Sequence, residues 1–472
     1  MSEFDAVVVG AGPNGLSAAA TLARTGRRVL VVERAATIGG GTRTEELTLP
    51  GFRHDVCSAF HPLALGSPFL RGLPLSEHGL EWIQPEVPLG HPIAPGRSVL
   101  LHRDVAATAA GLGLDGADYH RMVSRWIELW PRLEDHIMGP LVSVPRHPLA
   151  LARFGLAAAL PAMSTTKLRF RAEEARALFA GCAAHSFLPL THPLTSSFGW
   201  MLLLTGHLYG WPIASGGSQS IANALASYIR SLGSVIETGR EIADLADLPS
   251  TPITILDVTP SGLARIAGDR LPAGYLARVT RFRHGPAAFK VDYAVDRPIP
   301  WADPQLGRAG TVHLGGTATE INRAETTTWS GKAAATPFVL VGQQSLFDRS
   351  RAPEGQHTVW AYAHVPNGST ADFTHIITRR IEEFAPGFED SILAQHVFNP
   401  ADWERRNPNY VGGDISGGAH TPLQLLFRPF PMRDPYATPL DGVFLGSSST
   451  PPGAGTHGMS GHNAALAAIA KT

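Results

Sequence analysis

The residues best suited to chemistry stand near the start of the chain, where Gly10, Gly12 and Gly15 form a Gly-X-Gly-X-X-Gly series. Glycines at this spacing let the backbone turn tightly, approach a pyrophosphate and pack a helix close to a sheet. Glu33 closes the next apolar run, where an acid accepts hydrogen bonds from ribose hydroxyls and disfavours a 2′-phosphate. The pattern predicts a binding site for a dinucleotide.

The elements that position these residues can be identified in the same stretch. Residues 4–9 read as an apolar strand, residues 16–23 carry apolar side chains at helical spacing, and residues 29–32 read as a second strand. The start of the helix directs N–H groups and the positive end of its dipole at the phosphates. Pro13 and Asn14 lie in the turn, and we predict that they also contact the ligand.

A second glycine-rich stretch follows the acid. Arg34 begins it, and it continues to three consecutive glycines, Gly39, Gly40 and Gly41, and then to Thr42. Consecutive glycines give a backbone surface that lies against a phosphate or a ring system. A flexible loop is the other interpretation. We predict that these five residues bind the cofactor.

The carboxyl end carries the second informative motif. A strand ending at Gly446 leads into residues 453–458, which repeat the Gly-X-Gly-X-X-Gly spacing, and a short helix is predicted from Asn463 to Lys471. An independent dinucleotide site would need a further strand and acid, and too little sequence follows for either. We therefore expect this motif to present a helix N-terminus to the ligand of the first motif. A site built from both ends of a long chain suits a large, permanently held cofactor such as FAD.

Composition narrows the function classes. The chain has 472 residues, of which 44% are hydrophobic and 17% charged, as expected for a globular protein of two or three domains. A formal net charge of −1 without a basic block disfavours a nucleic-acid partner. Cys57 and Cys182 are too far apart in sequence for a redox pair or a cysteine metal site, and no metal is predicted. The first residues show no basic-then-apolar signal region, which predicts a cytoplasmic protein.

The chain is predicted to alternate between two domains. Residues 1–75, 215–278 and 412–472 are assigned to the FAD-binding Rossmann domain, residues 76–214 to a helical and substrate-domain insertion, and residues 279–411 to the sheet of the substrate domain. Helical apolar spacing returns the chain to the first sheet, whereas period-two strands indicate a mostly antiparallel second sheet. The predicted fold class is α/β, with a discontinuous α+β substrate domain.

Two apolar segments lie in the predicted insertion. Residues 198–212 are the most aromatic and apolar part of the chain, and they indicate either a core helix or the lining of an apolar substrate pocket. Residues 147–170 combine Leu, Phe and Ala with Arg153, Lys167 and Arg169. This mixture is typical either of a core helix with a basic rim or of a peripheral membrane contact.

Three stretches together resemble a known family. They read VVVGAGPNGLSAAATLARTGRRVLVVERAATIGGGTRTEE near the start, GWPIASGGSQSIANAL in the middle and GVFLGSSSTPPGAGTHGMSGHNAA at the end. They resemble the phytoene-desaturase-like flavoproteins, and within them the branch of the pyridine nucleotide-disulphide oxidoreductase domain-containing proteins. The resemblance implies bound FAD, a glutathione-reductase-type FAD domain, and oxidation or isomerisation of an apolar, often polyene or lipid-like substrate.

The resemblance also implies roles by position. It assigns the first FAD motif to Gly10, Gly12, Gly15, Glu33, Gly39 and Gly40. It assigns the carboxyl-terminal flavin motif to Gly446, Gly455, Gly458 and Met459. The family usually has a small antiparallel flap between two strands that only residues 238–252 separate here, so the flap is predicted to be lost or shortened. Ile242 is predicted to keep the backbone contact to adenine.

The leading hypothesis is an FAD-dependent dehydrogenase or desaturase that transfers a hydride from an apolar small molecule to flavin. A redox-neutral flavin isomerase and a non-catalytic escort or binding protein on the same fold are the alternatives, and the intact glycines and Glu33 argue against the escort. The candidates for acid–base chemistry, each with a structural interpretation beside it, are His457, Asp414 and Lys290. The substrate, the electron acceptor and the oligomeric state stay open at this point.

Overall fold

Two β-sheets organise the chain in the computed structural model, which describes residues 3–472. Met1 and Ser2, with which the predicted FAD-binding domain begins, lie outside the described residues. In chain order the strands are β1 (Ala6–Val9), β2 (Val29–Val32), β3 (Thr44–Glu46), β4 (Arg53–Asp55), β5 (Trp82–Ile83), β6 (Val87–Ala94), β7 (Arg97–Leu101), β8 (Ile213–Ala214), β9 (Val235–Glu237), β10 (Ile253–Leu256), β11 (Ala287–Val295), β12 (Ala309–Leu314), β13 (Val339–Gly342), β14 (His357–Val365), β15 (Ile392–Phe398) and β16 (Val443–Leu445). The helices are α1 (Pro13–Ala23), α2 (Pro62–Leu65), α3 (Pro68–Arg71), α4 (Val105–Ala110), α5 (Gly116–Leu129), α6 (Glu134–Ile137), α7 (Pro148–Ala158), α8 (Ala162–Arg169), α9 (Glu173–Ala184), α10 (Thr195–Tyr209), α11 (Gln219–Ser231), α12 (Pro260–Ala267), α13 (Ala273–Val279), α14 (Ala318–Trp329), α15 (Thr374–Phe384), α16 (Pro400–Arg406), α17 (Pro422–Leu426) and α18 (Met459–Ile469).

The first sheet is parallel and has the strand order β16-β10-β1-β2-β9. Helices α1, α11 and α18 pack on one face, and α12 and α13 cover the other. Every residue of the central strand β1 is therefore buried, as the continuous apolar run in its sequence indicated. The sheet, the glycine turn and α1 form a Rossmann-type dinucleotide-binding domain.

Glycine lets α1 lie close to its neighbours. Gly10 has a φ of +103°, a value that other residues rarely adopt. A Cβ on Gly15 would stand 2.0 Å from the carbonyl oxygen of Gly10. A Cβ on Gly461, in α18, would stand 1.8 Å from the carbonyl oxygen of Asn14. These close approaches hold the first turn of α1 between the sheet and the helix near the other end of the chain.

The second sheet has the order β15-β11-β14-β13-β12-β6-β7, and its neighbouring strands are antiparallel except for β6 and β12. Helix α15 packs on one face, while α5, α9 and α10 pack on the other. Because β6 and β7 come from residues 87–101, the segment between the two halves of the first sheet contributes strands as well as helices. The second unit is thus an α+β domain made from discontinuous parts of the chain.

The predicted elements are present, with some ends displaced. The terminal helix begins at Met459 instead of Asn463, because Gly458 forms its N-cap with a φ of +67°. Residues 238–252 contain a short 3₁₀ turn and no strand, in agreement with the predicted loss of the flap. The chain between β9 and β10 therefore passes directly along the edge of the first sheet.

Helices α7 and α8 follow each other in the chain, and both contribute residues to the core of the second domain. Within residues 3–472, no helix has both the length and the apolar composition to cross a bilayer alone. Among the described helices, α7 and α8 meet those two criteria when they are taken together, and they are bent by 96° relative to each other.

Candidate active site

One cavity brings the two sequence motifs together. Its volume is about 820 Å³, within the range of sites for cofactors and small molecules. The predicted cofactor-binding residues on its wall are Gly10, Gly12, Pro13, Asn14, Glu33, Arg34, Gly40, Gly41, Thr42, Ile242 and Gly455. The two ends of the chain thus contribute to the same site.

The other predicted cofactor residues stand behind this wall and shape it. The N–H of Gly39 donates to the carbonyl of Ala11 at 2.8 Å. A Cβ on Gly458 would meet the hydroxyl of Ser17 at 2.1 Å, and one on Gly446 would meet the Ala464 side chain at 2.9 Å. These positions need glycine because neighbouring elements pack against them. Gly15 and Met459 are also buried behind the wall.

The two glycine-rich stretches form a backbone cradle. Gly12 is the N-cap of α1 and brings no side chain to cap it. A Cβ on Gly40 would stand 3.0 Å from the Cα of Gly12, so the two backbones approach closely. A helix N-terminus facing a second glycine backbone is an arrangement suited to a pyrophosphate, which backbone N–H groups and the helix dipole both stabilise.

Two carboxylates lie at the end of the first sheet beside this cradle. Glu33 accepts hydrogen bonds from the N–H groups of Ala11 at 2.9 Å and Ala35 at 2.8 Å, and a carboxylate retains further lone pairs for ribose hydroxyls. Asp257, directly after β10, accepts the N–H of Gly15 at 2.9 Å. Burial raises the pKa of Asp257 to about 7, and the Glu33 carboxylate adds to the rise. These two acids disfavour a 2′-phosphate on a ribose bound at this end of the first sheet.

Among the buried polar atoms on the cavity wall that have no hydrogen-bond partner within the described residues, two belong to the predicted motifs. They are Oδ1 of Asn14, an acceptor, and Nε2 of His457. Nδ1 of His457 accepts the N–H of Met459 at 3.0 Å, so Nε2 carries the ring proton of the neutral imidazole. Burial lowers the pKa of His457 to about 4. A buried acceptor and donor without protein partners fit a polar ligand, because such atoms are rarely left unpaired. The residues present therefore fit a dinucleotide cofactor.

Apolar side chains line the rest of the cavity. Helix α10, from the aromatic segment, buries Trp200 and Leu203 in the core, while other residues of the helix face the cavity. The apolar residues on the wall include Leu151, Phe154, Phe198, Met201, Leu202, Leu340, Trp360, Leu425 and Leu426. We call this part of the cavity the apolar chamber.

Comparisons with known proteins find relatives along almost the whole chain. A family profile described as NAD(P)-binding Rossmann-like domain matches residues 8–66. Pyridine nucleotide-disulfide oxidoreductase domain-containing protein 2 of Rattus norvegicus is 28% identical over 98% of this chain and 93% of its own length. Phytoene dehydrogenase of Streptomyces griseus is 27% identical over 94% of this chain and 91% of its own. An oxidoreductase from Methanosarcina mazei has the same fold, with a TM-score of 0.66 at 16% identity, over 99% of this chain and 100% of its own.

The chain is a flavin-type oxidoreductase. The predicted resemblance to the phytoene-desaturase-like family is confirmed, and so is the predicted enzyme class. FAD, which the pairing of the two motifs predicted, is the dinucleotide that agrees with this class.

The cysteines of the oxidoreductase are both free. Cys57 lies on the cavity wall and Cys182 is buried in the core of the second domain. Burial raises the pKa of Cys57 to about 11, so its sulfur is a neutral thiol near pH 7. Neither cysteine has a partner for disulfide chemistry, as their sequence separation predicted.

Asp414 of the oxidoreductase is fully buried and does not line the cavity. Its carboxylate accepts the N–H groups of Gly285, Ser416 and Gly418 at 2.7 to 2.9 Å. Burial alone would raise the pKa of Asp414, but the imidazole of His284 and these N–H groups lower it. The position of Asp414 gives its predicted catalytic role no support, because it holds the loop beside the cavity without reaching the cavity itself.

Replacing Asp414 by alanine is expected to lower the free energy of unfolding by about 3 kcal/mol or more, because three buried N–H donors lose their acceptor. Urea unfolding measures the change, and the exposed Asp441, replaced by alanine, is the matched control with an expected effect below about 0.5 kcal/mol. Unchanged stability with a displaced pH profile of turnover would instead restore a catalytic role for Asp414.

Lys290 also lies away from the cavity. It is buried on β11, where its Nζ pairs with the carboxylate of Asp292 on the same face of the strand. Nδ1 of His54 lies 3.5 Å from that carboxylate. Burial lowers the pKa of Lys290, whereas Asp292 opposes the change. The catalytic prediction for Lys290 therefore stays a prediction without support from its position.

The sequence reasoning missed a series of polar groups that begins on the cavity wall and ends at the buried Ser218 behind it. Oγ1 of Thr456 lies 3.1 Å from Oγ of Ser58, which lies 3.4 Å from Nδ1 of His61. Nε2 of His61 lies 2.9 Å from Oγ of Ser218. The sequence signals were the positions of Thr456 inside the terminal motif and of Ser218 inside the middle stretch of the family resemblance, whereas Ser58 and His61 had none.

Proposed function

We propose that the protein oxidises an apolar, polyene or lipid-like small molecule by hydride transfer to FAD. The observation that carries the proposal is the single cavity in which the glycine cradle and the apolar chamber are continuous. The relative from Streptomyces griseus is named for phytoene, a hydrocarbon, and this supports the same substrate class. The electron acceptor that restores the enzyme is a separate partner that the site does not specify.

Each part of the cofactor has residues suited to it. The backbones at Gly12 and Gly40 would hold the pyrophosphate, Glu33 the ribose, and Ile242, on the cavity wall beside the sheet edge, the adenine. His457 Nε2 would donate to the cofactor from the other motif. We assign the nucleotide domain to the glutathione-reductase type, because a second motif from the distal end of the chain completes it.

The chain itself supplies positioning and a place for a proton. FAD, when bound, would supply the acceptor for a hydride from the substrate carbon. Loss of a hydride from a hydrocarbon leaves a carbon cation, and the hydrogen on the adjacent carbon becomes acidic enough for a weak base. The apolar chamber excludes water, which would otherwise add to such a cation.

The series from Thr456 to Ser218 has a defined direction. Ser218 Oγ donates to the carbonyl of Ser58 at 2.7 Å, so it accepts the Nε2 proton of His61. Nδ1 of His61 is then an acceptor for the Ser58 hydroxyl, which in turn accepts from Thr456. Burial lowers the pKa of His61 to about 4, so the imidazole is neutral and available as a weak base near pH 7. We infer that this series receives the proton released by the substrate.

The test is anaerobic mixing of purified flavoprotein with phytoene or a fatty acyl ester while flavin absorbance is recorded. Bleaching of the flavin with formation of a desaturated product supports the proposal. Product formation in which no electron acceptor is consumed, the flavin included, would favour the isomerase alternative. Correctly folded protein that is colourless and takes up no added FAD would exclude both enzymes and leave the escort alternative.

Narrowing the apolar chamber is expected to slow that reaction. A Cβ on Gly155 meets no atom within 4 Å, so the ring of a Gly155→Phe variant enters open space on the cavity wall. We expect at least tenfold slower bleaching at low substrate concentration, with unchanged flavin content. The matched control is Gly274→Phe, since Gly274 lies on the exposed surface of α13 and also meets nothing within 4 Å. Equal rates for the two variants would contradict the assignment of the chamber to the substrate.

A further inference from the structure

Helix α7 is apolar on two opposite sides. Phe154 and Ala158 are buried and line the cavity. Leu149 and Leu156, on the other side, are 87% and 77% exposed. These leucines are seven residues apart, which places them on one face of the helix. A surface helix of a water-soluble protein normally has polar residues on that face, so the exposed leucines require an explanation.

Further exposed apolar residues lie on the segments directly before and after α7 in the chain. Val144 is 96% exposed in the segment before it, and Leu168 is 70% exposed in α8 after it. Single exposed hydrophobic residues are common, but several within one stretch of the chain are typical of a surface that contacts a partner or a membrane. We call these exposed apolar residues, together with the basic residues among them, the basic apolar surface.

The ionised residues of this segment are all cations, and one of them, Arg146, lies 3.6 Å from the exposed carboxylate of Asp135 next to the segment. Residues 136–172 contain no Asp or Glu. They contain five permanently charged cations, in a chain whose net charge is −1. Four of the five, which lie among the exposed apolar residues in sequence, are Arg146, Arg153, Lys167 and Arg169. Arg153 is exposed between Leu149 and Leu156 on the outer face of α7. The surface therefore offers apolar side chains for insertion and cations for an anionic layer.

We propose that the basic apolar surface docks on an anionic phospholipid bilayer. Apolar side chains on a helix that lies in the plane of a membrane enter the boundary of the acyl chains, while Lys and Arg contact the head groups. A second copy of the chain would be a poorer occupant, because a two-fold interface would place the five cations of each copy against those of the other.

The docked orientation has a consequence for the reaction, and this step rests on the proposed function. Helix α7 alone would separate the bilayer from the apolar chamber, since its outer face contacts lipid and its inner face lines the cavity. A helix is only about 10 Å thick with its side chains. A lipid-like substrate would then enter the chamber without crossing water.

Flotation with phospholipid vesicles tests the docking without any substrate. Holoprotein is mixed with vesicles of phosphatidylcholine, or of phosphatidylcholine and phosphatidylglycerol in equal parts, and the bound fraction is measured at low and high salt. We expect binding to the anionic vesicles that weakens with salt. The double variant Leu149→Glu, Leu156→Glu should partition at least tenfold less, with the melting temperature and flavin content of the unchanged protein.

The control is Leu393→Glu, which places the same charge on a residue that is 45% exposed on β15, the edge strand of the second sheet. Its binding should equal that of the unchanged protein. Absence of binding to both vesicle types, or equal binding of the double variant, would overturn the proposal. A dimer that the double variant loses would identify a second copy as the occupant. Since no turnover is measured, these outcomes are independent of the proposed reaction.

Discussion

Replacing Gly12 by valine is expected to give a folded protein that binds FAD at least about 100-fold less tightly, equivalent to about 3 kcal/mol of lost interaction. The φ of −74° at Gly12 is one that any residue adopts, so the backbone tolerates the change. A Cβ there would stand 3.1 Å from Asp257 Oδ2 and 3.9 Å from the Cα of Gly40. The added methyl groups would therefore occupy the cradle between the two glycine backbones, where the pyrophosphate is expected.

The measurement is flavin absorbance per mole of protein after purification, with circular dichroism to establish folding. Gly274→Ala is the control, because it changes a glycine whose Cβ would meet nothing within 4 Å. Gly15→Val gives a useful contrast, since its Cβ would collide with the Gly10 carbonyl at 2.0 Å and should prevent folding altogether. A yellow Gly12→Val protein with full flavin content would contradict the assignment of the cradle to the cofactor.

The stability of the protein is expected to fall steeply between pH 6.5 and pH 4. Burial lowers the pKa of seven histidines to between about 3 and about 4: His61, His91, His185, His207, His420, His457 and His462. In the unfolded chain a histidine has a pKa near 6.5. Between the two values the unfolded chain binds more protons than the folded chain, so acid favours unfolding. The stabilisation is present above pH 6.5 and is lost as the pH falls toward 4.

The size of this acid-induced loss of stability follows from the number of protons that the folded and unfolded chains bind. Each such histidine costs about 1.4 kcal/mol per pH unit between its folded and unfolded pKa values. Since native proteins are stable by only about 5–15 kcal/mol, a few of these histidines suffice to unfold the chain before pH 4. Urea midpoints at pH 8, 7, 6 and 5 measure the effect, which should be small between pH 8 and pH 7 and large below pH 6. Equal urea midpoints at pH 7 and pH 5 would contradict the predicted loss of stability in acid.

The nucleotide domain could be predicted from sequence because its determinants are local. Gly10, Gly12 and Gly15 lie within one turn and helix, and Glu33 ends the strand that follows. Each position has a steric or hydrogen-bonding requirement that few residue types meet. The terminal glycines were informative for the same reason, and their pairing with the first motif predicted a site that the cavity now contains.

Other site residues could not be predicted, because tertiary packing alone brings them together. His61 and Ser218 are 157 positions apart and meet only when α11 returns to the first sheet. Asp257 is a single acid after an apolar strand, a weak signal until β10 is placed next to β1. Asp414 and Lys290 were attractive because charged residues in glycine-rich or strand contexts often act in catalysis. In the structure both are enclosed by their own partners.

Because α18 packs closely against the first turn of α1, the cofactor site is completed late in the synthesis of the chain. The Rossmann strands and glycine turn leave the ribosome first, but β16 and α18 are made more than 400 residues later. Until then the parallel sheet has an unpaired edge beside β10, and the cavity lacks the wall that carries Thr456 and His457. Cofactor capture is therefore expected to be a post-translational event. Nascent chains stalled before β16 should accumulate without flavin and depend on chaperones.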